Sequence, residues 1–163
     1  MLKWLWLSGL VVSLDQFSKQ LAEHLLTPYQ SVPVLPFFNL TLVYNTGAAF
    51  SFLADAGGWQ RWFFLVLSLG ISVALVIWLS RLKQGATLQA VALALILSGA
   101  VGNLIDRALF GHVIDFIDIY YRQWHWPAFN IADSAITIGA IMLIVDSLFG
   151  AHQETTHAAN ERH

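Results

Sequence analysis

Two long runs without a charged residue limit what this chain can fold into. One runs from Trp62 to Ser80, "WFFLVLSLGISVALVIWLS", the other runs from Ala86 to Ile105, and neither contains Asp, Glu, Lys or Arg. A helix of about 20 apolar residues crosses the hydrocarbon core of a bilayer and satisfies its own backbone hydrogen bonds there. Because 57% of the residues are hydrophobic and only 11% are charged, the sequence predicts an integral membrane protein.

Two further apolar segments are interrupted by charge. The first contains Asp15, Lys19 and Glu23, and the last contains Asp133 and Asp146. The first does not end like a signal peptide, because Asp15 follows its apolar stretch directly and no small-residue cleavage pattern is present. We therefore expect it to be kept as the first helix.

These four segments predict an all-α membrane protein with one integral membrane domain over residues 1–150. Its transmembrane helices are expected at about residues 4–26, 60–80, 86–106 and 129–149. Residues 151–163 are polar and are predicted to form a disordered cytoplasmic tail.

The charged residues between the helices indicate the orientation. The loop "SRLKQGAT" carries Arg81 and Lys83 without an acid, and short loops rich in Lys and Arg stay in the cytoplasm. Four helices then place both termini in the cytoplasm and two segments, 27–60 and 106–128, outside, although Arg107 and Arg122 in the second segment oppose this assignment. Within the first segment, the partial alternation of residues 38–44 favours short strands at the membrane surface.

Composition excludes several kinds of function. The chain has no cysteine, so it has neither a disulfide nor a thiolate site, and its net charge of −2 without a basic run does not indicate nucleic acid. Its six histidines are scattered and form no H-E-x-x-H motif, and no histidine has an evident place beside Ser98. We expect no metal and no cofactor.

Two aspartates are the first candidates for chemistry. Asp115 lies in the second outer segment and Asp133 lies about one turn into the fourth helix, so the predicted topology brings both to the outer membrane face. Two carboxyl groups in a partly dehydrated pocket do not both ionise cheaply, and the pair then shares a proton. One carboxylate can activate water while the other carboxyl group donates to a carbonyl, as in aspartic proteases.

Each aspartate also has an ordinary interpretation. Asp133 could be an acid that the helix dipole stabilises, and Asp115 could be a surface-loop acid. Asp118, possible as a solvated loop charge, and Asp106, possible as an acid paired at the end of the third helix, compete with them. Spacing alone does not choose the pair.

Other polar residues are expected near the same membrane face. Asp15 and Lys19 lie four residues apart, so they share one face of the first helix. They form either a functional intramembrane pair or a structural one in which Lys19 extends towards the interface. Asn103, Arg107 and Asn130 add hydrogen-bond donors, whereas Gly99 and Gly102 are expected to serve close helix packing.

Four motifs cover most of the chain: "DQFSK", "YNTGAAFS", "SGAVGNLIDRALFGHVIDF" and "FNIADSAI". Taken together and in this order, they resemble bacterial lipoprotein signal peptidase, also called signal peptidase II. Ser98 stands where the third motif is expected to have glycine, a small change. The resemblance implies a four-helix inner-membrane aspartic endopeptidase with a small β-like periplasmic cradle and a short surface helix.

The resemblance also implies a substrate and a set of site residues. The enzyme would cleave prolipoproteins just before a cysteine that carries diacylglycerol, and it is expected to work as a monomer among membrane lipids. Asp115 and Asp133 would be the catalytic pair. The positions that shape the site or hold the substrate would be Asp15, Lys19, Asn45, Gly47, Gly99, Asn103, Arg107, Asn130 and Ala132.

Two other functions compete with this one. In a small transporter or channel subunit, Asp15, Lys19 and Asp133 would line an ion path, but the polar residues gather at one membrane face and no repeated half is visible. A scaffold that recruits lipid or lipoprotein without cleaving it is the other alternative.

Overall fold

Long helices and a small sheet make up the part of the chain that the structure describes. The structure is a computed structural model, and it describes residues 1–47 and 57–160, with side chains as far as residue 149. A short 3-10 turn, Leu2–Trp4, leads into the first helix. The elements are α1 (Leu5–Leu25), β1 (Ser31–Leu35), β2 (Phe38–Asn45), α2 (Trp59–Arg81), α3 (Thr87–Leu109), β3 (Val113–Tyr121), β4 (Trp124–His125) and α4 (Ile131–Asn160).

The sheet is antiparallel throughout, with the strand order β1-β2-β3-β4. β2 lies where the alternating pattern predicts a strand, and it pairs with β3 so that Val43 faces Asp115 across the ladder. β3 lies in the second outer segment, for which no strand position was predicted. Its sequence, "VIDFIDIYY", is rich in β-branched and aromatic residues, which fit a pleated and largely buried strand.

α3 is the central helix of the bundle, and it packs against each of the other three helices. Its buried residues include many small ones, among them Ala90, Ala92, Ala94, Gly99 and Gly102. Small side chains let helix backbones approach closely, which is the main source of helix association within a membrane. The sequence of α3 therefore makes it the helix around which the others assemble.

Large apolar side chains cover the outside of the bundle. α2, α3 and residues 131–149 of α4 are long and apolar enough to cross a membrane, and Val66, Leu69, Ile138 and Ile144 are among their exposed residues. An apolar surface of this extent marks contact with lipid. α1 has 21 residues and is long enough, but it does not meet the same measure of apolarity.

Some details differ from the expected boundaries. α3 ends at Leu109, three residues beyond the predicted end, because its last turn carries Asp106 and Arg107 into the interior. The backbone of α4 is helical as far as Asn160, into the segment predicted as a disordered tail. The short surface helix that the resemblance implies is not among the helices of residues 1–47 and 57–160.

Gly139 and Gly70 provide a matched test of the close packing between α3 and α4. A Cβ at Gly139 would lie 2.6 Å from the carbonyl oxygen of Ala92, whereas a Cβ at Gly70 would meet nothing within 4 Å. We expect Gly139→Ala to cost about 1–3 kcal/mol of unfolding free energy through overpacking. Gly70→Ala is expected to be neutral or slightly stabilising, because alanine favours helix. Thermal unfolding in detergent compares the two variants, and an equal effect would contradict this account of the packing.

Candidate active site

Asp115 and Asp133 reach one site from two different elements. Asp115 lies in the middle of β3 and is almost fully buried, with 2% of its surface exposed. Asp133 lies in the first turn of α4 and is partly exposed. Asn130 contacts both carboxyl groups, since its side-chain Nδ2 donates to Asp115 Oδ1 over 2.7 Å and its backbone N–H donates to Asp133 Oδ2 over 3.3 Å.

Asn130 also caps α4. Its side-chain Oδ1 accepts a hydrogen bond from the backbone N–H of Asp133 over 2.9 Å. Together with the return bond to Asp133 Oδ2, this is a reciprocal capping arrangement at the helix N-terminus. The ordinary interpretation of Asp133 as an acid at a helix N-terminus therefore fits the structure, and Asn130 also links the same residue to Asp115.

Asparagine side chains donate hydrogen bonds to both carboxyl groups. The orientation of each amide is fixed because its oxygen accepts from a hydrogen-bond donor that cannot itself accept. For Asn130 that group is the backbone N–H of Asp133. For Asn45 it is the backbone N–H of Gly47, 3.0 Å from Oδ1, so that Asn45 Nδ2 donates to Asp115 Oδ2 over 3.1 Å. Because a backbone N–H cannot accept, the amide oxygen must face it and the NH₂ group must face the carboxylate.

The third amide, that of Asn103 in α3, is oriented by a lysine. Lys19 Nζ donates to Asn103 Oδ1 over 3.0 Å, and Asn103 Nδ2 donates to Asp133 Oδ1 over 2.8 Å. Asn130 Nδ2 adds a weaker contact to the same Asn103 oxygen at 3.3 Å. The two aspartates thus share one continuous network of asparagine donors.

Lys19 does not extend to the interface. Its side chain is fully buried, and Nζ lies 2.8 Å from Asp15 Oδ2 and 2.8 Å from Asp106 Oδ2. The alternative that Lys19 reaches the membrane surface is therefore wrong, because two carboxylates and the Asn103 oxygen satisfy its three N–H groups inside the protein. Asp106 belongs to this ion cluster and not to the pair formed by Asp115 and Asp133.

The ion cluster holds the elements that carry the two aspartates. Asp15 Oδ1 accepts from the backbone N–H of Ala132 over 2.8 Å, in the first turn of α4. Asp106 Oδ2 accepts from the backbone N–H of Ile114 over 3.2 Å, at the start of β3. Gln16 joins the cluster by donating to Asp106 Oδ1 over 2.8 Å. Gln16 was not among the residues expected at the site, although its position three residues before Lys19 puts both on one face of α1.

Two glycines of α3 allow these approaches. A Cβ at Gly99 would collide with the carbonyl oxygen of Ala132, and a Cβ at Gly102 would lie 2.5 Å from Asp15 Oδ2. Both positions serve close packing, as expected from their residue type.

Arg107 connects the end of α3 to the first outer segment. Its Nη2 donates to the carbonyl oxygen of Gly47 over 2.8 Å, and its guanidinium group lies 5.2 Å from the ring centre of Phe64. Arg107 therefore holds the chain just after Asn45, which itself donates to Asp115. The rest of the motif "YNTGAAFS", from residue 48 onward, lies outside the described residues.

Asp115 is poised to carry a proton near neutral pH. Burial, and next the charge of Asp133, raise its pKa from 3.8 to about 7, against the opposing effect of the hydrogen bond from Asn45. Desolvation and a nearby like charge both disfavour the ionised form of a carboxyl group. Such a pair can supply one carboxylate and one carboxylic acid at the same pH.

An open groove leads to Asp133. It encloses about 600 Å³ and is lined by Ile119, Trp126, Phe129, Thr137 and Ile138, with Asp133 and Ser134 as polar groups. An apolar groove with a few polar groups at one point is the usual form of a ligand site. Its walls come from β3, from the segment between β4 and α4, and from α4 itself.

Asp118 belongs to a different cluster. It is buried and accepts hydrogen bonds from Asn39 Nδ2 over 3.0 Å and from Thr41 Oγ1 over 3.2 Å, and His125 Nδ1 lies 2.8 Å from it. Burial tends to raise its pKa, but these hydrogen bonds outweigh burial and lower the pKa below the usual value. The interpretation of Asp118 as a solvated loop charge is wrong, and the structure does not bring Asp118 to the other pair.

Comparison with known proteins gives one consistent result. Residues 7–149 match the family described as signal peptidase (SPase) II. A "Lipoprotein signal peptidase" of Pseudomonas paraeruginosa is 57% identical over 89% of this chain and 87% of its own length. One from Teredinibacter turnerae is 54% identical over 91% of this chain and 89% of its own length.

Two solved structures of bacterial membrane enzymes share the fold. One, determined by the in meso method at 2.3 Å resolution, superposes with a TM-score of 0.81 at 37% identity, over 90% of this chain and 87% of that one. The other, at 1.9 Å resolution, has a TM-score of 0.79 at 36% identity, over 90% and 93%.

The raised pKa of Asp115 predicts a dependence of stability on pH. The unfolded carboxyl group loses its proton near pH 3.8, whereas the folded one keeps it to about pH 7. Between these values the folded state binds the extra proton, so the wild-type protein loses stability as pH rises. Relative to Asp115→Asn, it is expected to lose about 2 kcal/mol between pH 5 and pH 7. Thermal unfolding at both pH values measures this, and a pH-independent difference would contradict it.

Proposed function

The chain belongs to the signal peptidase II family, and from this premise we propose that it cleaves diacylglyceryl-modified prolipoproteins just before the lipidated cysteine, as an aspartic endopeptidase. The observation that carries the proposal is the pair of Asp115 and Asp133, held from two elements by one network of asparagine amides beside an apolar groove. Asp115 and Asp133 would be the catalytic residues.

The pair has the chemistry that peptide hydrolysis needs. One carboxylate takes a proton from water as the water oxygen attacks the scissile carbonyl carbon, and the other carboxyl group gives its proton to the carbonyl oxygen. When the tetrahedral intermediate collapses, the carbon–nitrogen bond breaks. The first carboxyl group then protonates the leaving nitrogen, and the second takes back the proton from the oxygen. A pKa of about 7 at Asp115 keeps the required proton available near neutral pH.

The groove and the lipid-facing surface suit a substrate anchored in the bilayer. A lipidated peptide keeps its acyl chains among lipids and offers its scissile bond near the membrane surface, so the acids must lie there as well. Asp133 lines a groove whose walls are mostly apolar, and exposed Ile138 continues this surface along α4. The residues that support the pair in this proposal are Asp15, Lys19, Asn45, Gly47, Gly99, Asn103, Arg107, Asn130 and Ala132.

We further propose that all four helices cross the bacterial inner membrane once, with both termini in the cytoplasm and the site towards the periplasm. α1 carries charge, but Asp15 and Lys19 are buried against α3 and paired there, so the charge does not face lipid. The basic loop after α2 lies at the opposite end of α3 from the two aspartates. The sheet would form a periplasmic cradle, and the site needs groups from a single chain, consistent with a monomer.

Membership of a peptidase family does not favour the transporter or channel alternative. The geometry agrees with this, because Asp15 and Lys19 are closed into an ion cluster with Asp106 and do not line an open path.

Cleavage of a diacylglyceryl-modified prolipoprotein peptide by the purified protein in detergent tests the proposal. The wild-type protein is expected to cleave this peptide and not its unlipidated form. Asp115→Asn and Asp133→Asn should each lower the rate by at least about 1,000-fold, because each removes a group that transfers protons. Circular dichroism and thermal unfolding confirm that the variants are folded. Normal turnover by either folded variant would refute the aspartic mechanism.

Cysteine labelling tests the orientation, since the chain has no cysteine of its own. Gln84, in the loop between α2 and α3, and Gln123, between β3 and β4, are both exposed. In cells with a permeable outer membrane and an intact inner membrane, a membrane-impermeant maleimide is expected to label Gln123→Cys and not Gln84→Cys. The reverse pattern would invert the topology.

A further inference from the structure

The buried ammonium group of Lys19 takes no part in the proton transfers described above, yet only one residue separates it from Asp133. Lys19 contacts Asn103, and Asn103 contacts Asp133. A buried charge is costly unless it is fully paired, so a lysine in this position needs a reason beyond packing.

The geometry leaves Lys19 little freedom. An ammonium group has three N–H donors and no acceptor, and here the three acceptors are Asp15 Oδ2, Asp106 Oδ2 and Asn103 Oδ1, at 2.8, 2.8 and 3.0 Å. The oxygen of the Asn103 amide must therefore face Lys19, which lies nearer to it, at 3.0 Å, than Asn130 Nδ2 does, at 3.3 Å. The NH₂ group of the same amide then faces Asp133.

This arrangement differs from the other two amides in one respect. Backbone N–H groups orient Asn45 and Asn130, whereas the charged donor to Asn103 is a side chain. The positive charge of Lys19 also polarises the Asn103 amide, which strengthens the hydrogen bond that its NH₂ group donates. The charge of Lys19 thus strengthens, through the Asn103 amide, the hydrogen bond that Asn103 Nδ2 donates to Asp133.

The two aspartates consequently lie in unequal surroundings. Asp133 has the amide backed by Lys19 and the N-terminus of α4, and both favour a carboxylate. Asp115 lies in the middle of a strand without a helix terminus, and it is the more deeply buried of the two.

We propose that Lys19 is a positioning residue: its ammonium group turns the Asn103 amide so that it donates to Asp133, and this makes Asp133 the carboxylate and Asp115 the acid of the pair. The inference rests on the proposed aspartic mechanism. In that mechanism Asp133 takes the proton from water and Asp115 gives its proton to the carbonyl oxygen.

The pH dependence of cleavage tests this role of Lys19, because cleavage requires the carboxylate of Asp133. The charged groups around Asp133 are Asp15 and Lys19 of α1, Asp106 and Arg107 of α3, and Asp115 of β3. Removing the ammonium group takes away positive charge and the orientation of Asn103, so a higher pH is needed to form the carboxylate.

The main variant is Lys19→Met, which removes the ammonium group and leaves an apolar side chain one atom shorter. We expect kcat at pH 7 to fall about 100-fold and the acid limb of the kcat profile to move up by about one pH unit, with KM changed less than about threefold. Gln89→Met serves as the control, because it removes a 2.7 Å hydrogen bond between α3 and α4. This bond, from Gln89 to Asp146, lies far along the helices from Asp115 and Asp133. The control variant should leave the pH profile unchanged.

A second variant separates folding from positioning. Lys19→Met leaves two buried carboxylates without their cation, so we also combine it with Asp106→Asn, which restores the net charge of the cluster. The double variant is expected to regain thermal stability without regaining kcat or the acid limb. If the double variant regained kcat and the wild-type acid limb together with its thermal stability, Lys19 would be merely structural.

Asn103→Ala tests the same path and leaves the three charged groups of the ion cluster in place, although it removes one acceptor of Lys19. It should shift the acid limb in the same direction, and adding Lys19→Met to it should change kcat less than about threefold, because the two residues act through one hydrogen bond. An unshifted acid limb in Asn103→Ala would overturn the proposal even if the lysine variants do not fold. If they do fold, fully multiplicative losses in the pair would overturn it as well.

The parallel assay of Asp115→Asn and Asp133→Asn separates the two proposals. If both are inactive and the acid limb of Lys19→Met coincides with that of the wild type, the role of Lys19 is wrong and aspartic proteolysis stands. If either aspartate variant cleaves normally, the proposed mechanism itself is wrong.

Discussion

The pairing of one buried lysine with two buried aspartates is the interaction on which the rest of the site depends. Lys19, Asp15 and Asp106 lie in an apolar bundle where an unpaired charge would be very unfavourable. Each aspartate uses its remaining capacity to accept from a backbone N–H, one in α4 and one in β3. The ion cluster therefore joins α1 and α3 to the two elements that carry Asp115 and Asp133.

The asparagines solve a second problem, which is how to surround two acids with donors without adding charge. An amide can face either way, so it is a reliable donor only if its oxygen is held. Here the oxygens of Asn45 and Asn130 are held by backbone N–H groups and that of Asn103 by Lys19. The donors are thus in place before any substrate binds, and hydrogen-bonding groups fixed in advance need no reorganisation during the reaction.

Much of this could be predicted from the sequence, and the omissions have a common cause. The uncharged runs mark two helices directly, and the motifs around Asp115 and Asp133 indicate the family. The strand β3 was missed because its nine residues do not alternate strictly between apolar and polar side chains. Gln16 joins the ion cluster, and Asp106 is buried in it, through contacts between residues about 90 positions apart in the sequence. Local sequence patterns do not record such contacts.

Composition and residue order fix hydropathy and side-chain chemistry, so the membrane location, the absence of thiolates and disulfides, and the family motifs could all be read from the residues alone. Which acids meet follows from the folded arrangement of the helices and strands. Asp15, Asp106, Asp115, Asp118 and Asp133 are chemically the same group, and their differences come from burial and from the donors that other elements bring. Spacing along the chain cannot supply that information, since a pKa and a hydrogen-bond direction depend on distances in space.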